Sequence, residues 1–385
     1  MFVPLRIRVE QDVIVRIHRN LKGKGVLNVS KNQEVTPSDV LGTAQLSPGF
    51  RILNLAKLLQ VMPSQVEKFL KRSLGQRIYK GELLAQKSGW LFGSKIVVIS
   101  PSDGILDFLN PKTGELRLNF IPKKIDLPAG VYGIVEEVDT QKGSVIIRTQ
   151  STLIHGLFGS GKLRDGNLRI VSKRDEFMSN PAVLPKYADQ IIVAGSLVSK
   201  EIITDAISAE VSGIICGGIG AKDYKGMAGG RLIFPKKLEN DIGISITICE
   251  GFGSIPIGED IYQVLLQHEG RFTAIDGNAG IINLPSFQSS SIIKVRGTKL
   301  PSPSGVLTAY GGDESTGMAE LKIGSKVRVV GNSFLGEQGR ILAVDNTETI
   351  LPSGIKALMV TIETNRRKIQ VPQTNIEVVE YPKSI

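Results

Sequence analysis

Two glycine-rich stretches are the residues most able to hold phosphate. Gly156-Leu157-Phe158-Gly159-Ser160-Gly161-Lys162 has the Gly-x4-Gly-Lys spacing in which backbone amides cradle a phosphate and the lysine neutralises it. The next residue is Leu163, which has no hydroxyl for Mg²⁺. A helix should begin there to aim its amides at the anion, but Arg164-Asp165-Gly166-Asn167 is a turn signal leading into the strand-like Leu168-Arg169-Ile170-Val171. This segment therefore reads as β structure, not as a nucleotide site. The second stretch, Gly217 to Arg231, follows a strand-like run, where open α/β sheets commonly bind ligands. Amides freed at Gly218 and Gly220, with Lys222, Lys225 and Arg231, make it a candidate anion-binding loop. The alternative is a crossover loop without a ligand, since the third glycine of a dinucleotide fingerprint is missing.

Catalytic constellations are not evident. Glu250, Glu259, Asp260 and Asp276 lie near glycines, but nothing in their spacing forces two carboxylates together. His18, His155 and His268 are isolated, and none has metal-ligand spacing to a cysteine. Cys216 and Cys249 sit in apolar runs and read as small buried residues of a reducing compartment. No catalytic residue, metal or cofactor is expected, and the balance leans away from an enzyme. Trp90, the only tryptophan, lies in the glycine- and lysine-flanked stretch Lys87 to Lys95. That stretch is either a docking tip or a hairpin end folded back on its own domain.

The elements that carry these residues fall into several units. A chain of 385 residues is long for one core, and 42 glycines with 5% aromatics suit short strands and tight turns. Net charge is +10, unevenly spread. Residues 1–180 carry 27 Lys and Arg against 16 Asp and Glu, 181–321 carry 11 against 15, and 322–385 carry 9 against 6. Basic flanks attract polyanions. The N-terminus lacks an apolar signal core and no apolar run reaches membrane-spanning length, so a cytoplasmic protein without integral membrane association is expected.

Residues 1–178 contain a repeat: Asn32-Gln33-Glu34-Val35-Thr36-Pro37-Ser38-Asp39-Val40-Leu41-Gly42 aligns without gaps to Gly75-Gln76-Arg77-Ile78-Tyr79-Lys80-Gly81-Glu82-Leu83-Leu84-Ala85. With the Ser100-Pro101-Ser102-Asp103-Gly104 turn, it resembles the barrel-sandwich hybrid fold of biotinyl and lipoyl carrier domains. No lysine tip of the carrier type occurs, so the resemblance implies the fold and not the swinging arm. Apolar spacing predicts a helical insertion at about 50–74, with Lys68, Lys71 and Arg72 near its outer side. Residues 186–297 alternate strand and helix patterns: strands near 191–194, 213–216, 244–248 and 272–275, helices over 199–211 and 259–267. That is a small α/β domain with a mainly parallel sheet. Residues 298–320 read as a Pro-, Ser- and Gly-rich linker.

The run Gly324-Ser325-Lys326-Val327-Arg328-Val329-Val330-Gly331-Asn332-Ser333-Phe334-Leu335-Gly336-Glu337-Gln338-Gly339-Arg340-Ile341 resembles the KOW motif of transcription elongation factors and ribosomal proteins. The resemblance implies a C-terminal SH3-like barrel over 321–385, giving a multi-domain, mainly β chain with an α/β part. It also implies RNA, a ribonucleoprotein or the transcription or translation machinery as partner. Lys326, Arg328, Arg340, Arg366, Arg367 and Lys368 would meet phosphates, and Phe334 would supply an apolar or stacking contact. Two readings stay open. One is a non-enzymatic adaptor working through this module. The other is a ligand-binding or enzymatic protein that takes a small anion at Gly218, Gly220, Lys222, Lys225 and Arg231.

Overall fold

The computed structural model describes residues 2–46, 49–88, 95–121, 123–178, 180–227, 241–297, 316–330 and 332–380. The chain is mainly β and is built on several sheets with separate apolar cores.

The repeat is a repeat of structure as well as sequence, and one copy sits inside the other. In the first copy, the short strand Glu34–Val35 pairs with Gly133–Asp139, which forms a hairpin with Ser144–His155; Val9–Asn20 pairs on the far side. In the second, Arg77–Ile78 pairs with Gly104–Asn110, which forms a hairpin with Glu115–Asn119; Phe50–Asn54 pairs on the far side. The turns match bond for bond. Gln33 Oε1 accepts from the Ser30 amide and Gln76 Oε1 from that of Ser73, each at 3.0 Å. Asp39 accepts from the Thr36 amide and Glu82 from that of Tyr79. Such side-chain-to-backbone bonds let the chain turn without leaving an unpaired amide. Val40–Leu46 then pairs with Lys123–Pro128, as Leu83–Lys87 does with Ile96–Ile99. Residues 50–119 are thus inserted whole between the Val40–Leu46 and Lys123–Pro128 strands. The two copies keep separate cores, one around Val35, Leu41 and Ile147, the other around Ile78, Leu84 and Leu116.

The insertion is therefore larger than the helical 50–74 segment expected, and less helical. Among the described residues it holds one short α-helix, Leu55–Leu59, and a 3₁₀ turn, Pro63–Phe69, in which only Val66 is buried. Pro63 favours a tight start, and Leu70 is already extended, so the spacing of Val66, Phe69 and Leu70 never becomes a full α-helix.

The α/β part begins earlier than residue 186. Leu168 to Ser172, the end of the strand Arg164–Ser172, pairs in parallel with Ile191–Ala194, followed in order by Gly213–Ile219 and Ser245–Phe252. Alternate side chains fill two cores. Ile192, Ile214 and Ile246 face the helix Lys200–Ser208, and Ile191, Val193 and Ile215 face Glu259–Gln267. Strands Phe272–Asp276 and Ile281–Pro285 are antiparallel and join this sheet to Ser144–His155. Because the parallel strands run in sequential order, there is no reversal of order among them of the kind that opens a ligand crevice.

A seven-stranded sheet closes the chain on itself. Its order is Thr316–Glu320, Phe2–Arg6, Ile376–Glu380, Lys326–Val329, Gln338–Ile350, Lys356–Thr364, Lys368–Pro372. The N-terminal strand thus belongs with the C-terminal residues and not with the first 178: Val3 and Leu5 pack with Val327, Ile362 and Val378. Thr316–Glu320, expected within the linker, pairs with it over five residues. The rest of the expected linker, 298–315, and Trp90 lie outside the described residues.

Candidate nucleic-acid interface

Strand register gathers the basic residues from three stretches of sequence. Lys326 lies directly across from Arg340, Arg340 from Glu363, and Glu363 from Lys368. The neighbouring row, Ile341, Ile362 and Ile369, points into the core, so the charged row faces outward. Arg366 and Arg367 lie in the turn before Lys368 and are exposed. Arg367 is bonded to Glu337 at 2.6 Å and Lys368 lies 3.8 Å from Glu363. Lys326, Arg340 and Arg366 form no ion pair among the described residues; Arg340 donates to the Gly324 carbonyl at 3.0 Å. Like charges directly opposite on adjacent strands repel; Glu380 across from Lys326 and Glu363 across from Arg340 flank the pair, and an anion between Lys326 and Arg340 would relieve the repulsion that is left.

Two of the expected contacts are elsewhere. Arg328 is 0% exposed, its guanidinium held between two carboxylates of the α/β part. Its Nη2 bonds Glu250 Oε1 at 2.7 Å and its Nε bonds Asp260 Oδ2 at 2.8 Å. Gln338 also donates to Asp260, Arg8 donates to Glu250, and the Gly258 amide donates to Glu250 Oε1. Burial alone would lower the Arg328 pKa, but Glu250 and Asp260 outweigh it and hold the group charged. The reason is local: Val327 and Val329 turn inward, so Arg328 points to the opposite face of its strand, and the start of the helix Glu259–Gln267 covers that face. Phe334 is also committed internally. It packs against the core of its own sheet, with the Arg367 guanidinium 4.8 Å from its ring centroid. The adjacent Leu335 carbonyl accepts from the Glu259 amide.

The glycine-rich candidate loop is not an open cradle. Gly217 and Gly218 belong to the buried strand Gly213–Ile219. A Cβ on Gly217 would lie 2.0 Å from the Ile255 carbonyl oxygen, and one on Gly218 would lie 1.9 Å from that of Gly253. These glycines admit a crossing backbone, and the Gly217 amide already donates to Gly195. The Asp223 carboxylate stands over Gly220, which disfavours an anion there. The short helix Ala221–Met227 follows, with Lys222 and Lys225 exposed, and Arg231 lies outside the described residues.

The sequence matches no protein-family model and no curated protein.

Sequence reasoning missed a cleft of about 780 Å³ between the outer repeat unit and the α/β part. Arg271 lies over the Phe287 ring at 3.8 Å, and Arg19 over the Phe272 ring at 4.6 Å. Arg19 is paired with Asp165, whereas Arg271 makes no ion pair among the described residues. No motif could have shown it, because its walls come from eight separate stretches of chain.

Both cysteines, the Gly156–Lys162 stretch and two of the histidines have structural explanations. Burial pushes the Cys216 thiol up to about 12 and that of Cys249 upward too, so neither is a nucleophile at neutral pH. Gly156–Lys162 contributes the strand Phe158–Ser160, antiparallel to Ser245–Phe252. Among the described residues no cluster of three or more His, Cys, Asp or Glu could hold a metal, and no helix is long and apolar enough to cross a membrane. Burial lowers the His268 pKa against the opposing bond from its Nε2 to the Phe272 carbonyl, and burial lowers that of His18 as well. Below about 6.5 the unfolded chain takes up protons on these rings that the native state does not. Stability is therefore expected to fall as pH drops through the window between that value and the lower folded pKa. Urea midpoints of the wild type and His268→Gln from pH 7.5 to 5 check this, and the variant should show the shallower fall.

Proposed function

We propose that the protein is a non-enzymatic adaptor that binds RNA, free or within a ribonucleoprotein of the transcription or translation machinery. Contact is made through the outward basic row of its C-terminal sheet. The observation that carries this is the cross-strand pair Lys326–Arg340, extended by Arg366 and Lys368, in which Lys326, Arg340 and Arg366 form no ion pair among the described residues. The seven strands around one core, with a 3₁₀ turn before the strand Ile376–Glu380, support an SH3-like barrel of the KOW kind. The nested strand repeat supports the barrel-sandwich resemblance, now with two units instead of one.

Binding of a labelled single-stranded RNA, followed by anisotropy across salt concentrations, tests this. Counterion release gives a slope of about −0.7 per phosphate neutralised on single strands. Combining Lys326→Ala, Arg340→Ala and Arg366→Ala should reduce the slope by about 2 and weaken binding at every salt concentration. Unchanged affinity and slope would remove the basic row from the interface.

A second reading rests on Arg271. A small anionic ligand in the 780 Å³ cleft would meet its guanidinium above the Phe287 ring. A rise in melting temperature with nucleotides or phosphorylated metabolites, lost in Arg271→Ala, would favour it.

A further inference from the structure

An antiparallel sheet with one face on its core ordinarily presents polar residues on the other. The sheet of the inserted unit, ordered Phe50–Asn54, Glu115–Asn119, Gly104–Asn110, Arg77–Ile78, departs from that rule. Leu116, Leu118 and Leu106 turn inward. On the opposite face, Ile52 is across from Arg117 and Arg117 from Phe108, while Phe50 is across from Asn119. Phe50 and Ile52 are each 55% exposed and Phe108 is 51% exposed. Residues 50–119 hold nine of the 23 large apolar side chains exposed among the described residues, so the unsatisfied surface is concentrated in this unit.

The surplus of positive charge over the unit as a whole, and not on the face alone, favours a polyanion as what covers that face. Residues 50–119 carry eleven Lys and Arg against five Asp and Glu. Arg117 stands at the centre, 5.7 Å from the Phe50 ring centroid and ion-paired with Asp107. Arg77 borders the face across from Ile105 and makes no ion pair among the described residues. Burying the central ion pair in hydrocarbon or in an apolar protein surface would be costly. Stacking a base on each phenylalanine leaves it in water. Two aromatic platforms on one sheet face, on strands separated only by the one that carries Arg117, are what single-stranded nucleic acid requires, because every base has a π-face and extended backbone phosphates need cations.

We propose that this sheet face binds single-stranded RNA by stacking bases on Phe50 and Phe108, with Arg117 and Arg77 beside the backbone. This rests on the adaptor reading and gives it a second contact, selective for unpaired strands. The probe is a fluorescein-labelled RNA of about 12 nucleotides, single-stranded or annealed to its complement, with the full chain. Combining Phe50→Ala and Phe108→Ala should weaken single-strand binding at least tenfold with the salt slope unchanged, and leave duplex binding as it was. Combining Phe50→Tyr and Phe108→Trp should keep wild-type affinity. Both positions are half-exposed, and a far-UV circular dichroism spectrum checks that the alanine variant is folded.

If the alanine variant binds as the wild type does while the Lys326, Arg340 and Arg366 variant is impaired, the stacking inference falls and the adaptor reading stands. If the wild type binds no RNA, both fall. If the alanine pair abolishes self-association or binding to anionic vesicles without altering RNA affinity, the face serves a second copy or lipid, and the inference is overturned.

Discussion

Arg328→Ala should lower the unfolding free energy by about 3–5 kcal/mol, the cost of leaving buried carboxylates without their cation. Glu250 and Asp260 are both nearly inaccessible, and Arg328 makes four of the hydrogen bonds that satisfy them. Arg8 would remain beside Glu250, but Asp260 would keep only Gln338 among the side-chain donors described here. Arg328→Lys should recover part of the loss and not all, because an ammonium cannot fork between two carboxylates as a guanidinium does. Urea unfolding of the three proteins measures this. A loss below 1 kcal/mol for the alanine variant would mean that the ion cluster does not join the C-terminal sheet to the α/β part. The same proteins separate two roles for Arg328. If it contacted phosphate, the folded lysine variant would still lose RNA affinity; as a buried joint, it should not.

Gly336→Ala should cost about 2–4 kcal/mol, combining left-handed strain with overpacking. Gly336 has φ of 86°, a region that a Cβ disfavours, and its added Cβ would lie 2.2 Å from the Glu259 amide nitrogen. The next contacts, at 2.7 Å, are the Gly258 carbonyl carbon and the Asp260 carboxylate, which Arg328 holds in place, so none can easily move aside. Gly354 is the natural control: it has φ of 81° but open space around it, so Gly354→Ala should pay only the strain, about 1–2 kcal/mol. Equal losses at the two sites, read from urea midpoints, would show that the loop at 336 does not press on the α/β part.

Local pattern was legible where local physics decides. Glu259–Gln267 is helical over the range its spacing predicts, with Glu259 and Asp260 in the first turn. Ile191–Ala194 is a buried strand with the bounds read from sequence. The turn repeat at 32–42 and 75–85 also shows in the structure, because its side-chain bonds span only three residues. Pairing between distant segments was not legible. The alternation in Phe2–Arg6 announces a strand but cannot show that its neighbours are Thr316–Glu320 and Ile376–Glu380. At the candidate interface, the alternation Val327-Arg328-Val329 is enough to point Arg328 away from its own core, but it does not show that another unit covers that side. The glycines at 217 and 218 misled for a related reason. Small residues read as a loop when the backbone that crosses them comes from residues 253–257.

Cross-linking the full chain to RNA carrying photoreactive uridines, with the linked peptides mapped by mass spectrometry, tests the central claim most directly. Linked residues are expected within 324–345 and 361–370, around Lys326, Arg340, Arg366, Arg367 and Lys368, and within 50–54 and 104–119 if bases stack on the inserted sheet. No cross-links, or cross-links confined to the cleft around Arg271 and Phe287, would contradict an RNA-binding adaptor built on the C-terminal sheet.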